Sequence, residues 1–106
     1  MGVAVTGTVS ELKAQIWLLE QGYEVFANIK PSGRADMVAW LIKTDTVLKI
    51  DVKTVQVYHR AKSKKSYVFS GLGKMGTSSA EANMKDGVLY LGWCGEEDRF
   101  MWFEKR

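Results

Sequence analysis

The stretch "LKIDVKT", Leu48 to Thr54, decides the fold, because it alternates in the way of a strand that buries one face. Apolar side chains occupy the even positions, from Leu48 to Val52. The odd positions carry charges, and Asp51 and Lys53 place an acid and a base on one side of the strand. An acid and a base side by side at the end of so apolar a strand require an explanation.

A first helix is predicted by apolar side chains that recur at helical spacing before this strand. They are Val9, Leu12, Ile16 and Leu19. Thr8 and Glu11 are spaced to form a capping box at the helix start, and Gly22 is placed to end it.

The other predicted elements are segments bounded by turn residues. The predicted strands are Tyr23 to Ile29, Ala35 to Lys43, Thr46 to Thr54, Ser66 to Gly71, Gly87 to Cys94 and Arg99 to Lys105. Thr77 to Lys85 is predicted to form one or two helical turns, and Gly95 to Asp98 to form the last turn. The order predicts an α/β (α+β) fold with an N-terminal helix and a mixed sheet, as one domain over residues 1–106.

The two central strands are predicted to form an antiparallel hairpin, since little more than Thr44 and Asp45 separates them. A loop of two or four residues makes one face of the hairpin wholly apolar, which fixes the register. The predicted pairs on that face are Met37–Val52, Ala39–Ile50 and Leu41–Leu48.

On the opposite face of this hairpin, Val38 meets Asp51 and Asp36 meets Lys53. Two adjacent carboxylates raise each other's pKa unless a cation lies between them. Mg²⁺ prefers oxygen ligands and typically takes one or two carboxylates, and a nearby Lys can orient or help deprotonate a water. The group therefore suits metal-assisted phosphodiester cleavage. The alternative is a surface salt bridge between Asp36 and Lys53, with Asp51 merely polar.

Composition limits the remaining functions. The chain has a formal net charge of +3, and "HRAKSKK" (residues 59–65) is either a solvated loop or an arm that follows a phosphate backbone. Cys94 is the single cysteine and there is one His, which excludes an intrachain disulfide and a zinc cluster built from Cys and His. We expect a buried thiol, an intracellular setting and no membrane span, because no apolar run reaches about 18 residues.

The motifs resemble those of the PD-(D/E)XK nuclease superfamily, the fold of many restriction enzymes and of the archaeal Holliday junction resolvases. "GRAD", ending at Asp36, stands where the family has its PD, with Ala35 in place of the proline. "DVK", Asp51 to Lys53, stands as its (D/E)XK, and Glu11 matches an acid that resolvase-like branches place in the first helix. "LEQGYEVF" and the closing "DGVLYLGWCGEEDRFMWF" resemble small resolvase-like and intron-endonuclease-like members, so the likeness covers nearly the whole chain.

The resemblance implies a restriction-endonuclease-like core with the active site on the hairpin. Asp36 and Asp51 would bind Mg²⁺, for which Mn²⁺ can substitute, together with the carbonyl of Val52. Lys53 would orient or activate the attacking water. Glu11 would bind the metal through water or hold a second ion, unless it serves the capping box.

DNA contacts are implied for residues around this site. Beside it lie Ser32, Gly33 and Arg34, and Gln56 and Tyr58 are predicted to continue the face of Lys53 if the strand persists. The basic segment 59–65 adds Arg60, Lys62, Lys64 and Lys65, and the Gly-rich stretch after it adds Lys74.

The expected protein is a Mg²⁺-dependent DNA endonuclease, with no organic cofactor, that acts on branched or structured DNA such as a four-way junction. One site per subunit must pair with a second to cut two strands symmetrically, so a homodimer is expected. The alternatives are a DNA-binding module that has kept the fold and lost catalysis, and a small interaction protein whose basic loop binds an acidic partner.

Overall fold

A computed structural model of the chain describes residues 3–30, 33–59, 64–76 and 87–104. In chain order the elements are helix α1 (Val3–Glu20) and strands β1 (Glu24–Ala27), β2 (Met37–Leu41), β3 (Thr46–His59), β4 (Lys65–Phe69), β5 (Gly73–Lys74), β6 (Val88–Cys94) and β7 (Arg99–Trp102). This is an α+β arrangement with an N-terminal helix, as predicted. Within these ranges, no helix is both long and apolar enough to cross a membrane.

The long strand β3 organises the sheet. Its first half pairs antiparallel with β2, and residues Lys49 to Thr54 pair in parallel with β6. Its second half, from Val55 to His59, pairs antiparallel with β4. Strands β1, β5 and β7 lie beside β2, β4 and β6 respectively. The sheet is therefore mixed, and every strand is arranged around β3.

The closing hairpin is confirmed, with Gly95 to Asp98 as its turn. Asp98 has a φ of 52°, a left-handed conformation that Asp tolerates better than most residues. Strands β1 and β2 are shorter than predicted, and β3 continues beyond Thr54. The helical turns predicted for Thr77 to Lys85 lie outside the described residues.

The predicted register of the central hairpin is wrong by two residues. The observed pairs are Met37–Ile50, Ala39–Leu48 and Leu41–Thr46, and Val38 lies opposite Lys49 instead of Asp51. The turn decides this, because Ile42 to Asp45 form the loop and Asp45 takes a φ of 55°. An even shift keeps each side chain on its predicted face.

Helix α1 begins earlier than predicted, at Val3, so Thr8 lies in its interior and the capping box is wrong. The predicted end is confirmed. Gly22 has a φ of 96°, and its N–H donates to the carbonyl of Leu19 at 3.0 Å while that of Tyr23 donates to the carbonyl of Leu18 at 3.1 Å. This pair of hydrogen bonds is the Schellman motif, in which glycine adopts the left-handed conformation without strain.

The apolar row whose spacing predicted the helix does not face the sheet. Its residues Val9, Leu12, Ile16 and Leu19 are exposed. Ser10, Ala14 and Leu18 face the sheet instead and are at most 3% exposed. Ser10 and Ala14 are small enough to let the helix approach the sheet closely, which the larger aliphatic row does not allow.

Two apolar clusters form the core. The first lies between α1 and the sheet and contains Ala14, Leu18, Met37, Ala39, Ile50 and Leu91. The second lies beyond it and contains Val55, Phe69, Leu72, Cys94, Met101 and Phe103. The expectation of a buried Cys94 thiol is confirmed. Strand β3 passes from the first cluster at Ile50 to the second at Val55, and the four residues between them are half-buried.

Candidate active site

Asp36 is held at the entry to β2 by its own backbone. Its N–H donates to the carbonyl of Ile50 at 2.9 Å, and its carbonyl accepts from the N–H of Asn28 at 2.9 Å. Its side-chain Oδ2 accepts a further hydrogen bond of 2.7 Å from the N–H of Val52. These bonds fix the Asp36 carboxylate against β3.

Asp51 and Lys53 lie on β3 at the transition between the two clusters. The Lys53 Nζ is 3.3 Å from Oδ2 of Asp51, and the two side chains are only 28% and 21% exposed. The same Nζ lies 5.9 Å from the centre of the Tyr90 ring, which the parallel register places on β6 opposite Asp51. Lys53 is thereby confined between a carboxylate and an aromatic ring.

The two Asp carboxyls are within hydrogen-bond reach of each other, and the pKa of each is raised. Burial raises the pKa of Asp51 to about 6; the neighbouring Asp36 adds to the rise, and Lys53 opposes it. Burial also raises the pKa of Asp36, with a contribution from Glu11, while hydrogen bonds with Asp51 and Val52 oppose the rise. Near neutral pH the site is therefore a concentrated, partly desolvated negative charge.

Glu11 projects from α1 toward this pair and hydrogen-bonds with Asp36. Because it lies in the middle of the helix, its carboxylate is not used at the helix start. The carboxylates of Glu11 on α1, Asp36 directly before β2 and Asp51 on β3 thus lie near one another. Their roles in binding a metal stay predictions.

A cleft of about 430 Å³ opens beside these residues. Its lining residues come from α1 and β3 and from Ser70 after β4: Thr6, Gly7, Ser10, Glu11, Val52, Lys53, Thr54 and Ser70. A second cleft of about 370 Å³ lies on another side of α1, between the helix and the β6–β7 hairpin, and neither Glu11 nor Lys53 lines it. Glu11 and Lys53 line the first cleft and contact Asp36 and Asp51 respectively, so the first cleft is the candidate site.

The donor set suits a hard divalent cation. Among the described residues, no three His, Cys, Asp or Glu side chains form a group that could hold a metal ion by themselves. A pair of carboxylates is nevertheless what Mg²⁺ commonly uses, because it keeps several waters and completes its shell with phosphate oxygens. The site thus fits Mg²⁺ bound jointly with a phosphate better than a closed structural metal.

Gln56 and Tyr58 do not continue the face of Lys53, and this prediction is wrong. Side chains two apart share a face of a strand, so Val55 and Val57 follow Lys53 into the second cluster. Gln56 and Tyr58 are exposed on the other side, where the Tyr58 hydroxyl donates to Oε1 of Gln56 at 2.9 Å.

A groove of about 150 Å³ nevertheless connects Gln56 to the site. It is lined by Thr54, Gln56, Val68 and Ser70, and it shares Thr54 and Ser70 with the larger cleft. Thr54, Ser70 and Tyr90 also lie at the site and were not among the predicted site residues. Thr54 directly follows Lys53, whereas Ser70 and Tyr90 reach the site through hydrogen bonding and pairing with β3.

The remaining predicted DNA contacts lie at several places. Gly33 and Arg34 lie three and two positions before Asp36, and Lys64 and Lys74 are exposed. Lys65 is already paired, with its Nζ 3.1 Å from Oε2 of Glu97. Ser32, Arg60 and Lys62 lie outside the described residues.

Comparison with known protein families finds no match, and comparison with curated proteins finds none either. Among solved structures, the chain is similar to a bacterial homing endonuclease, I-Ssp6803I, with a TM-score of 0.63 and 16% sequence identity. The similarity covers 97% of this chain and 65% of that one, so the chain spans about two thirds of the length of its structural neighbour. At this identity the likeness establishes a shared fold, and that fold is one used by a DNA endonuclease.

Proposed function

We propose that this chain is a metal-dependent DNA endonuclease that hydrolyses phosphodiester bonds. The observation that carries the proposal is the convergence of Asp36, Asp51 and Lys53, with a 3.3 Å ion pair and a pKa of about 6 for Asp51. A perturbed acid pair beside a lysine in a cleft is typical of a functional site. The shared fold with a homing endonuclease supports the same reaction class.

Asp36 and Asp51, with the carbonyl of Val52, would hold Mg²⁺ or Mn²⁺. Such a cation neutralises the two carboxylates and polarises the scissile phosphate. The Lys53 ammonium is placed to orient the attacking water or to offset charge on a phosphate oxygen. Glu11 would act from the opposite wall of the cleft, through water or on a second ion.

The proposed substrate is branched or structured DNA, on the basis of the resemblance to resolvase-like nucleases. Arg34 beside the site, and Lys64 and Lys74 on the sheet, would contact phosphates and position the duplex. Two strands require two sites, so we propose that the protein acts as a homodimer, inside the cell where its substrate lies.

Plasmid cleavage tests the reaction directly. Wild type should nick supercoiled plasmid in Mg²⁺ or Mn²⁺ and not in EDTA, and Asp51→Asn should lower the rate by about 10²-fold or more while retaining DNA binding in a mobility-shift assay. Asp98→Asn is the matched control, since it changes an exposed aspartate in the β6–β7 turn and should cleave normally. Cleavage by Asp51→Asn at the wild-type rate would show that the site is wrongly assigned.

The same assays separate the alternatives. A DNA-binding module without catalysis predicts salt-sensitive DNA affinity and no metal-dependent nick. A small interaction protein predicts no salt-sensitive DNA affinity at all. Labelled four-way junctions, flaps and plain duplexes of matched sequence then test the preference for branched DNA, and equal cleavage of all three would contradict that preference.

A further inference from the structure

The outward side of α1 carries a row of exposed aliphatic side chains. They are 37–58% exposed and comprise Val5, Val9, Leu12, Ile16 and Leu19; we refer to them as the apolar stripe. The helix is anchored to the sheet through a different row, in which Ser10, Ala14 and Leu18 are buried. Rotation of the helix could bury the stripe only by exposing that row, so the described fold leaves the stripe uncovered.

The spacing of the stripe is that of a two-stranded helix pair. Its members are separated by four, three, four and three residues, which is the alternation of heptad positions d and a. Position a holds the β-branched Val9 and Ile16, and position d holds Val5, Leu12 and Leu19. In coiled coils, β-branched residues at position a combined with Leu at position d favour two helices over larger bundles. No charged side chain interrupts the stripe.

The exposed area is consistent with a partner surface. The stripe exposes on the order of 400 Å², within the range of about 300–600 Å² found for the largest apolar patch on a monomer. Burial of two such stripes would remove about 800 Å², and flanking side chains would bring the total toward the roughly 1,200 Å² at which stable interfaces begin.

We propose that the apolar stripe is the surface on which a second copy of this chain packs its own α1. This inference rests on the proposed nuclease function, because it identifies the interface of the homodimer proposed for cutting two strands. A twofold contact needs a self-complementary patch, and this stripe qualifies because its spacing is nearly symmetric about Leu12. Glu11 lies on the same helix, so one rigid element would connect each dimer contact with a candidate active site.

The oligomeric state in solution tests the interface. Sedimentation velocity should show wild type as a dimer, and Leu12→Glu and Ile16→Glu as monomers with unchanged circular dichroism. Val47→Glu is the matched control: Val47 is 57% exposed, on β3 and outside the stripe, and this variant should stay dimeric. A wild-type monomer throughout the micromolar range would overturn the proposal, as would a dimer that survives both stripe substitutions.

A cross-link keeps the proposal testable if the Glu variants fail to fold. Leu12→Cys lies at the centre of the stripe, and the buried Cys94 should not react with a second molecule. Mild oxidation should convert Leu12→Cys into a covalent dimer and leave Val47→Cys monomeric under denaturing electrophoresis. Failure of Leu12→Cys to cross-link, or equal cross-linking of both variants, would reject the interface.

Cleavage products distinguish this inference from the nuclease proposal. A monomeric but active Leu12→Glu should still nick supercoiled plasmid, yet lose most of the linear product that needs two coordinated cuts. If wild type shows no metal-dependent nicking, the nuclease proposal is rejected, whatever the oligomeric state of the protein. Wild-type linear product from a monomeric Leu12→Glu would reject the functional role of the interface and leave the nuclease proposal standing.

Discussion

The carboxylate of Asp36 accepts a 2.7 Å hydrogen bond from the backbone N–H of Val52, sixteen positions further along the chain. The Asp36 N–H also donates to the carbonyl of Ile50, so both the backbone and the side chain of this residue are bound to β3. The two strands therefore fix the position of the carboxylate before any ligand arrives. A preorganised acid of this kind loses little freedom when it binds a cation.

The first prediction concerns pH and stability. The folded pKa of Asp51, about 6, lies above its ordinary value of 3.8. The folded chain therefore binds more protons between about pH 4 and pH 6, and the free energy of unfolding falls as pH rises through that window. At pH 7 the ionised Asp51 carboxylate lowers the free energy of unfolding by its full amount, about 1–2 kcal/mol after allowance for partial exposure.

Asp51→Asn should consequently raise the free energy of unfolding at pH 7 in EDTA by about 1 kcal/mol, and give no benefit near pH 4, as measured by urea denaturation. Asp98→Asn makes the same substitution at an exposed aspartate in the β6–β7 turn and serves as the control. A destabilised Asp51→Asn at pH 7 would mean that the ion pair of Asp51 with Lys53 outweighs the cost of burying its carboxylate and the repulsion by Asp36.

The second prediction concerns metal binding. A cation must displace the proton held by the Asp36 and Asp51 pair, so Mg²⁺ affinity should weaken below about pH 6. In thermal unfolding, Mg²⁺ at about 100-fold excess over its Kd should stabilise wild type by about 2.7 kcal/mol. The shift should shrink at pH 5.5 and vanish in Asp51→Asn. Equal Mg²⁺ stabilisation of wild type and Asp51→Asn would place the cation elsewhere.

The third prediction concerns packing at Gly92, where β6 crosses the second cluster. A Cβ on Gly92 would lie 2.7 Å from Cζ of Phe69 and would also collide with Val55. We expect Gly92→Ala to lower the free energy of unfolding by about 1–3 kcal/mol, because a packed core cannot expand without strain.

Gly7→Ala is the matched substitution for this test. A Cβ at Gly7 would meet nothing within 4 Å, and the residue lies inside α1. Alanine there should stabilise the chain by about 0.5–1 kcal/mol, because it restricts the unfolded backbone and favours the helix. Urea denaturation of both variants should give changes of opposite sign, and destabilisation by both would contradict the local packing described for Gly7.

The fourth prediction concerns two neighbouring lysines in DNA binding. Lys65 is paired with Glu97, whose carboxylate also accepts a 2.8 Å hydrogen bond from Arg99. Lys64→Ala should reduce the slope of log affinity against log salt by about 0.9 if its ammonium contacts a phosphate of duplex DNA. Lys65→Ala should change the slope less, since its charge already has a partner. Fluorescence anisotropy over a salt series measures both, and a larger effect for Lys65 would contradict this order.

Two local features were predicted correctly from the sequence. Gly22 ends the helix and Gly95 to Asp98 form the last turn, because left-handed backbone conformations are a local property of a few residue types. The error of two residues in the predicted hairpin register did not change the predicted faces of the strand. A shift of two residues leaves Asp51 and Lys53 on their predicted face, since side chains in a strand alternate with a period of two.

The helix illustrates what local signals omit. Both sides of α1 carry apolar side chains, so periodicity could not say which row would meet the sheet. Contact with the sheet selected Ser10, Ala14 and Leu18, whose smaller residues permit close approach. The larger row, centred on Leu12, stays exposed. Only the contacts of α1 with the sheet identify this row as a candidate interface.

The sequence by itself determined the alternation of β3, the end of α1 at Gly22, the last turn and the identity of the three central ionisable residues, because each is a property of a short segment. The tertiary structure alone decided the hairpin register, the parallel pairing that brings Tyr90 opposite Asp51, and the approach of Glu11 to Asp36. These depend on segments far apart in the chain, whose relative positions are set by turn geometry and by packing of the whole core.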